Sequence, residues 1–398
     1  MVTIEQLDAL RSPDGAEILA SLAETPPTPA TTIATATRLR KRYPADLVTA
    51  AMSMAALREH AVTKFEHADR LWFTRDGLEQ ATSHEIATYR AGRFAGMAEI
   101  VDFCCGIGGD LLALAHENPN ARLIAVDRDP LHLEIARLNA QALGLDDRVT
   151  FVEGDVRSVD LPESGGVFID PARRSGKGRM ALGDSEPPLE WCLELARPSR
   201  GVGIKAAPGL DHARVPAGWE FEAIALGTDL KEATIWSPRF ARSPRTATII
   251  SGRATFQLHP ISGDPVPLRE PVPGDTLLDP SPAITRAGLV EDLARHLGPS
   301  AAMIDPKIGF LVASEPLQTP FARSLDVIAS LPWHERTLKS TLRDLDAGPV
   351  DLRRRGLAGD VDAITRRLRG TGTQPFTIAM TRVMDQPWAI VCAEPGER

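Results

Sequence analysis

Cysteine is scarce in this chain: there are four in 398 residues, at positions 104, 105, 192 and 392. Their spacing matches neither a disulfide framework nor a zinc site. Cys104 and Cys105 are adjacent, and neighbours on a strand point to opposite faces, so they are not expected to share a metal. No metal is expected. Long apolar runs are also missing, since no stretch approaches the roughly 20 residues that a membrane helix needs. Residues 1–15 carry Glu5, Asp8 and Asp14 and lack the basic-then-apolar order of a secretory signal. The expectation is therefore a cytoplasmic protein with no membrane contact. Internal repeats and low-complexity tracts are absent too.

What is present is ordinary globular composition, 43% hydrophobic and 25% charged, over a length that favours two or three domains. The net charge is -8, so the surface as a whole does not attract polyanions. Arginines nevertheless cluster: Arg173, Arg174 and Arg179 with Lys177; Arg239, Arg242 and Arg245; Arg353 to Arg355; and Arg366, Arg367 and Arg369. Such patches are compatible with nucleic-acid binding and equally with solvated helix faces.

Three regions follow one another. Residues 1–98 read as helical, with apolar residues at helical spacing over Val48–Leu57 and prolines 26, 27 and 29 interrupting an earlier helix. Residues 99–252 alternate short apolar runs with helical stretches. Strands are expected at Ile100–Cys104, Arg122–Val126, Val149–Val152, Val167–Ile169 and Val202–Ile204, and helices at Asp110–His116, Leu131–Leu143 and Leu189–Ala196. That alternation argues for an α/β Rossmann-like parallel sheet covered on both faces. Phe221–Leu226 and Thr246–Ile250 are expected to close it as a strand pair. The proline- and glycine-rich stretch 252–282 reads as a linker or irregular entry into a separate C-terminal α+β unit, so that the third region is 253–398.

The first strand runs into Asp102-Phe103-Cys104-Cys105-Gly106-Ile107-Gly108-Gly109. Its glycines let the backbone turn sharply and let a ligand approach. A dinucleotide fingerprint needs a third glycine where Leu111 stands, and Asp110 at the helix start would repel a pyrophosphate. A cationic amino-acid nucleoside, S-adenosylmethionine, fits better. Asp127 ends the second strand about 20 residues further on, where a carboxylate accepts from ribose hydroxyls. Asp102 is placed to neutralise the methionine ammonium. Asp155, followed by Val156, ends the third strand where adenine would lie. Asp170 ends the fourth strand in Asp170-Pro171-Ala172-Arg173, beside the expected methyl group, to position or deprotonate a nucleophile. Arg173 would grip a phosphate or stack on a base. Each aspartate alone is as readily a helix or turn cap; their order and spacing together make the case.

Val101–Asp110, Ala125-Val126-Asp127-Arg128-Asp129-Pro130, Gly154-Asp155 and Asp170-Pro171-Ala172-Arg173 resemble the successive motifs of class I S-adenosylmethionine-dependent methyltransferases. The resemblance is greatest to bacterial members with a C-terminal THUMP-like domain, whose module Leu278–Gly288 and Arg354–Gly359 are similar to. The glycine loop is also similar to that of RNA cap guanine-N2 methyltransferases, and Phe73–Thr82 resembles the segment that closes over the cofactor there. The resemblance implies cofactor binding by Asp102, Cys104, Gly106, Gly108, Gly109, Asp127, Arg128, Asp155 and Val156, catalysis at Asp170 and Arg173, and RNA (rRNA or tRNA) as partner. Two departures narrow the chemistry. Ala172-Arg173 stands where cap-type enzymes carry an aromatic platform. The stretch 202–208 lacks the cysteine that uridine carbon-5 methylation requires. Transfer to nitrogen or oxygen remains. Lys205 and Glu232 are candidate substrate contacts or partners in surface salt bridges. The alternatives are a non-catalytic RNA-binding protein on this fold, a methyltransferase acting on a small molecule or protein, and a nicotinamide-dependent oxidoreductase.

Overall fold

Thr3 opens the first helix with a reciprocal capping box to Gln6. Ser12 caps the second helix, whose first residue is Pro13. Helices α1 (Ile4–Arg11), α2 (Pro13–Glu24), α3 (Thr32–Leu39) and α4 (Ala45–Ala61) follow one another. The prolines after Glu24 fall in the gap between α2 and α3, as the sequence suggests. Leu7, Leu10, Ile18, Val48 and Met54 are buried together with Leu71 and Phe73, and the same apolar cluster takes in Ile107 and Ile135 further along the chain. The N-terminal helices thus share a core with the glycine loop.

The computed structural model describes residues 3–172 and 185–396 and, between them, the backbone of 174–175 and 178–179. The chain divides into two compact units, Met1–Ala207 with Ile235–Ala241, and Pro208–Thr234 with Arg242–Arg398. In the first unit, α5 (Arg75–Gln80) and α6 (His84–Ala91) lead into the sheet. Its strands are β1 (Glu99–Phe103), β2 (Arg122–Asp127), β3 (Val149–Glu153), β4 (Gly165–Ile169) and β5 (Arg200–Ala206), in the order β5-β4-β1-β2-β3. These strands pair in parallel. Helices α7 (Gly109–Glu117), α8 (Pro130–Ala142) and α9 (Leu189–Leu193) lie in the crossovers. The order reverses between β4 and β1, and ligands of open parallel sheets bind at the strand ends beside that reversal.

One helix is shorter than its sequence suggests. α9 stops at Leu193, not Ala196. Beyond Leu193 the chain tightens to three-residue hydrogen bonds, Leu195 N to Cys192 O and Ala196 N to Leu193 O, both at 3.3 Å, and Arg197 and Arg200 then cap the free carbonyls of Glu194, Leu195 and Ala196.

In the second unit, β6 (Glu220–Leu226) pairs in parallel with β7 (Arg245–Ser251), and β7 pairs antiparallel with β8 (Ala254–Leu258). The expected strand pair is present, and the stretch read as a linker contains β8. Gly252, at φ 57, makes the tight hairpin turn between Ser251 and Ala254. A second sheet follows, built from β9 (Thr276–Pro280), β10 (Ala301–Met303), β11 (Leu311–Ala313), β12 (Ala322–Pro332), β13 (Ala347–Arg354), β14 (Gln374–Val383) and β15 (Gln386–Ala393). Its order is β10-β11-β9-β12-β15-β14-β13. Only β13 and β14 pair in parallel within it. Helices α10 (Pro282–Ala287), α11 (Val290–Leu297), α12 (Glu335–Asp344) and α13 (Val361–Leu368) complete the unit. Leu338, Leu342, Ile364 and Leu368 turn the apolar sides of α12 and α13 into a shared core.

Candidate active site

The site is built at the carboxyl ends of β1 to β5. After Phe103 the chain leaves the sheet through residues in left-handed conformation: Cys104 at φ 58, Gly106 at φ 53 and Gly108 at φ 90. Gly108 is required twice over, since a Cβ there would also lie 3.3 Å from Cα and Cβ of Ala136 on α8. Asp127 braces the turn. Its Oδ2 accepts from Gly106 N at 2.8 Å and its Oδ1 from Asp129 N at 2.9 Å. Each oxygen keeps a second lone pair. Asn139 ties the N-terminal cover to the same turn. Its Oδ1 accepts from Trp72 N at 2.7 Å, and its Nδ2 donates to Ile107 O at 2.9 Å and to Trp72 O at 3.1 Å.

Asp102 differs from these neighbours. It is 1% exposed, and neither carboxylate oxygen has a hydrogen-bond partner among the described residues. Burial pushes its carboxyl well above the usual range; Asp110, Asp170 and Asp127 push the same way, and Arg90 opposes them. The Cys104 thiol is also pushed up, first by burial and then by the carboxylates of Asp127, Asp170 and Asp102. It is therefore a neutral wall and not a nucleophile.

The other acids are partnered. Asp110 accepts from Arg90 and, at 3.2 Å, from Thr82 Oγ1, so its charge at the start of α7 is already in use. Asp170 Oδ2 lies 2.6 Å from Lys205 Nζ. Lys205 also donates to Thr82 Oγ1 at 2.8 Å. Its side chain is only 7% exposed, so the Lys205 ion pair is a buried one and not the surface salt bridge considered from sequence. Asp155 caps the turn Val156–Ser158 and pairs with Arg157, whose hydrogen bonds hold its carboxyl below the usual range. Arg157 pairs with Glu186 as well.

These groups surround one cavity of about 540 Å³. Asp102, Cys104, Gly106, Gly109, Asp127, Arg128, Asp155, Val156 and Asp170 all line it. Gly108 shapes the turn from behind. Arg173 lies outside the described residues, as do the side chains of Arg174, Lys177 and Arg179. The structure adds to the wall Gly77, Thr82, His132, Glu186 and Lys205. Thr82 closes the segment singled out in the sequence, but nothing in the sequence marks Arg90, a helical arginine, as its partner. Among the described residues no group of three or more His, Cys, Asp and Glu is arranged to hold a metal. No helix among them is long and apolar enough to cross a membrane.

Comparison with known proteins agrees with this geometry. A family model described as a methyltransferase domain matches residues 100–168. A THUMP domain-like model matches 322–394, and a domain of unknown function, DUF8688, matches 3–61. An uncharacterized S-adenosylmethionine-dependent methyltransferase of Mycobacterium tuberculosis is 35% identical over 328 residues, 78% of this chain and 84% of that protein. A putative methyltransferase from Porphyromonas gingivalis W83 has the same fold, with a TM-score of 0.71 at 20% identity over 89% of this chain and 92% of the other. The chain belongs to the S-adenosylmethionine-dependent methyltransferases. It carries a C-terminal THUMP-like domain, and its cofactor is S-adenosylmethionine. The residues present suit that cofactor. A buried carboxylate with both oxygens unpaired is complementary to an ammonium, and Asp127 retains the lone pairs that two hydroxyls need.

Proposed function

We propose that the protein methylates a nitrogen or oxygen of an RNA nucleotide. The observation that carries this reading is the THUMP-like segment itself. It presents exposed arginines on α12, on α13 and just past it: Arg336 and Arg343 are one heptad apart on α12, and Arg366 and Arg369 follow. None of the four has an ion-pair partner among the described residues. Exposed, unpaired arginines suit phosphate contacts. In this reading, residues 1–98 cover the cofactor, 99–252 bind it and 253–398 hold the RNA, and the reaction takes place in the cytoplasm.

In this reading each site residue has a role. Asp102 takes the ammonium of the cofactor. The turn Cys104–Gly109 approaches its amino-acid end with backbone alone, and Asp127, beside Arg128, takes the ribose hydroxyls. Asp155 and Val156 face the adenine. S-adenosylmethionine supplies a methyl group on a sulfonium, which a lone pair can take directly once it is positioned and dehydrated. Asp170, held at Oδ2 by Lys205, offers its other oxygen to the N–H or O–H of the acceptor and so aims that lone pair. Arg173 grips the phosphate of the same nucleotide.

The test is incubation with labelled S-adenosylmethionine and total RNA from a strain lacking the gene, followed by mass spectrometry of the nucleosides. Label is expected in one methylated nucleoside, and RNA retention is expected to weaken steeply with salt. Protein that binds the cofactor and leaves this RNA unlabelled would overturn RNA as the substrate. It would favour a non-catalytic RNA-binding role or a small-molecule or protein acceptor.

A further inference from the structure

The acids and cations at the strand ends are sorted unevenly. Arg90 and Lys205 are both buried, with side chains 2% and 7% exposed. Each sits on its own carboxylate, Arg90 on Asp110 and Lys205 on Asp170. Asp102 is as deeply buried and has no hydrogen-bond partner among the described residues. A buried cation within reach of Asp102 can pair with it in place of the carboxylate it now holds, letting the Asp102 carboxyl ionise. Arg90 is near enough for its charge to act on Asp102. Its guanidinium lies 4.5 Å over the ring of Phe168, the residue level with Asp102 on the adjacent strand.

One hydroxyl joins the two cations. Thr82 Oγ1 accepts from Arg90 Nη2 at 3.1 Å and from Lys205 Nζ at 2.8 Å, and donates to Asp110 Oδ2 at 3.2 Å. Two acceptor positions and one donor are all that a threonine hydroxyl has, so its capacity is filled. The hydroxyl is delivered from outside the sheet. Lys64 Nζ donates to the carbonyls of Leu78, Glu79 and Ala81 at 2.8, 3.0 and 3.1 Å, and Lys64 O accepts from His84 N at 2.7 Å. The chain is thereby pinned on both sides of Thr82.

We propose that Thr82 is a positioning residue for the cofactor: its hydroxyl holds Arg90 and Lys205 on Asp110 and Asp170, and so keeps Asp102 unpaired for the ammonium of S-adenosylmethionine. The inference rests on the reading that Asp102 receives that ammonium. Without the hydroxyl, Arg90 loses one of the contacts that keep it on Asp110 and is drawn to Asp102. The cofactor must then displace an internal cation before it can bind.

The test compares Thr82→Val, which keeps the shape and removes the hydroxyl, with Thr82→Ser, which keeps the hydroxyl. Binding of S-adenosylmethionine is measured by calorimetry, and melting of the cofactor-free protein alongside it, in the wild-type and Asp102→Asn backgrounds. T82V is expected to weaken binding tenfold or more, T82S to stay within twofold of wild type, and the cofactor-free melting midpoint of T82V not to fall. In the Asp102→Asn background, T82V should add less than twofold, because its effect acts through Asp102. Wild-type affinity in T82V overturns the proposal, and so does a loss of affinity matched by a falling midpoint and shared by T82S. Wild-type affinity in Asp102→Asn overturns the underlying reading of Asp102, and the proposal with it. Should T82V not fold, Thr82→Ala takes its place. If neither folds, the hydroxyl is a requirement for folding and the cofactor-specific role is overturned.

Discussion

The strand ends of the first unit and the C-terminal unit differ in how they treat one buried aspartate. In the C-terminal unit, Asp279 pairs with Arg355 at 2.6 Å. Asp275 accepts from Arg269 and from Val272 N, and Asp305 accepts from the backbone of Lys307 and Asp385. Asp292 accepts from Ile261 N. Each was desolvated by folding and each was given a donor. At the candidate site Asp110, Asp127 and Asp170 follow the same rule, and among the described residues there Asp102 does not. An unpartnered buried carboxylate is costly, so its persistence points to a partner that arrives later. A buried acid is thus informative by what it lacks, not by its type.

The comparison can be broken or sharpened by mutation. The largest effect is expected at Asp170. Asp170→Asn, which keeps an oxygen for Lys205 to donate to, should lower methyl transfer to RNA about 10²–10⁴-fold while leaving S-adenosylmethionine affinity close to wild type, as single-turnover label transfer and calorimetry would show. Asp102→Asn should do the reverse, weakening cofactor binding by about 10²-fold, the scale of losing one partner of a buried charge pair. Calorimetry showing an unchanged Kd would make Asp102 no different from its paired counterparts.

Stability separates the two regions by sign. Arg355→Met leaves Asp279 buried without its cation and should destabilise by about 2–3 kcal/mol in denaturant titration, with much of the loss recovered when Asp279→Leu is added. Gly108→Ala, forced to φ 90 against Ala136, should cost about 1–2 kcal/mol and loosen the cofactor turn.

The smallest effect carries the sharpest contrast. Asp102→Asn should raise the melting midpoint of the cofactor-free protein near neutral pH. Burial lifts the Asp102 carboxyl above its unfolded value. The native state therefore keeps a proton that the unfolded chain has lost, and this aspartate makes stability fall as pH rises through that window. The advantage of Asn should accordingly vanish at a pH below the ordinary aspartate range and be fully present above the raised one. Melting curves across pH would show it. A variant that melts lower than wild type at neutral pH would place Asp102 among the structural acids.

Much of the cofactor site was legible along the chain because it is local. Asp102, the turn Gly106–Gly109, Asp127 and Asp155 each sit at the end of a short apolar run, and the parallel sheet carries all strand ends to one edge. The hydrophobic period sets the strands, and glycine at left-handed positions sets the turn. Less local features were not legible. Arg90 is one arginine among many, and Lys205 stands 35 positions after Asp170. The strand at Ala254–Leu258 was hidden by flanking prolines and glycines. α9 ends early because the chain past it tightens to three-residue hydrogen bonds, which no helical period records.

The sequence by itself determined the fold class, the glycine turn and the line of acids that turns this site away from a pyrophosphate and toward a cationic nucleoside. Only the tertiary structure decided which of those acids are in use. Pairing of buried charges is settled by distances of a few ångströms between groups far apart in the chain. It gave Asp110 to Arg90 and Asp170 to Lys205, joined both through Thr82, and left Asp102 open.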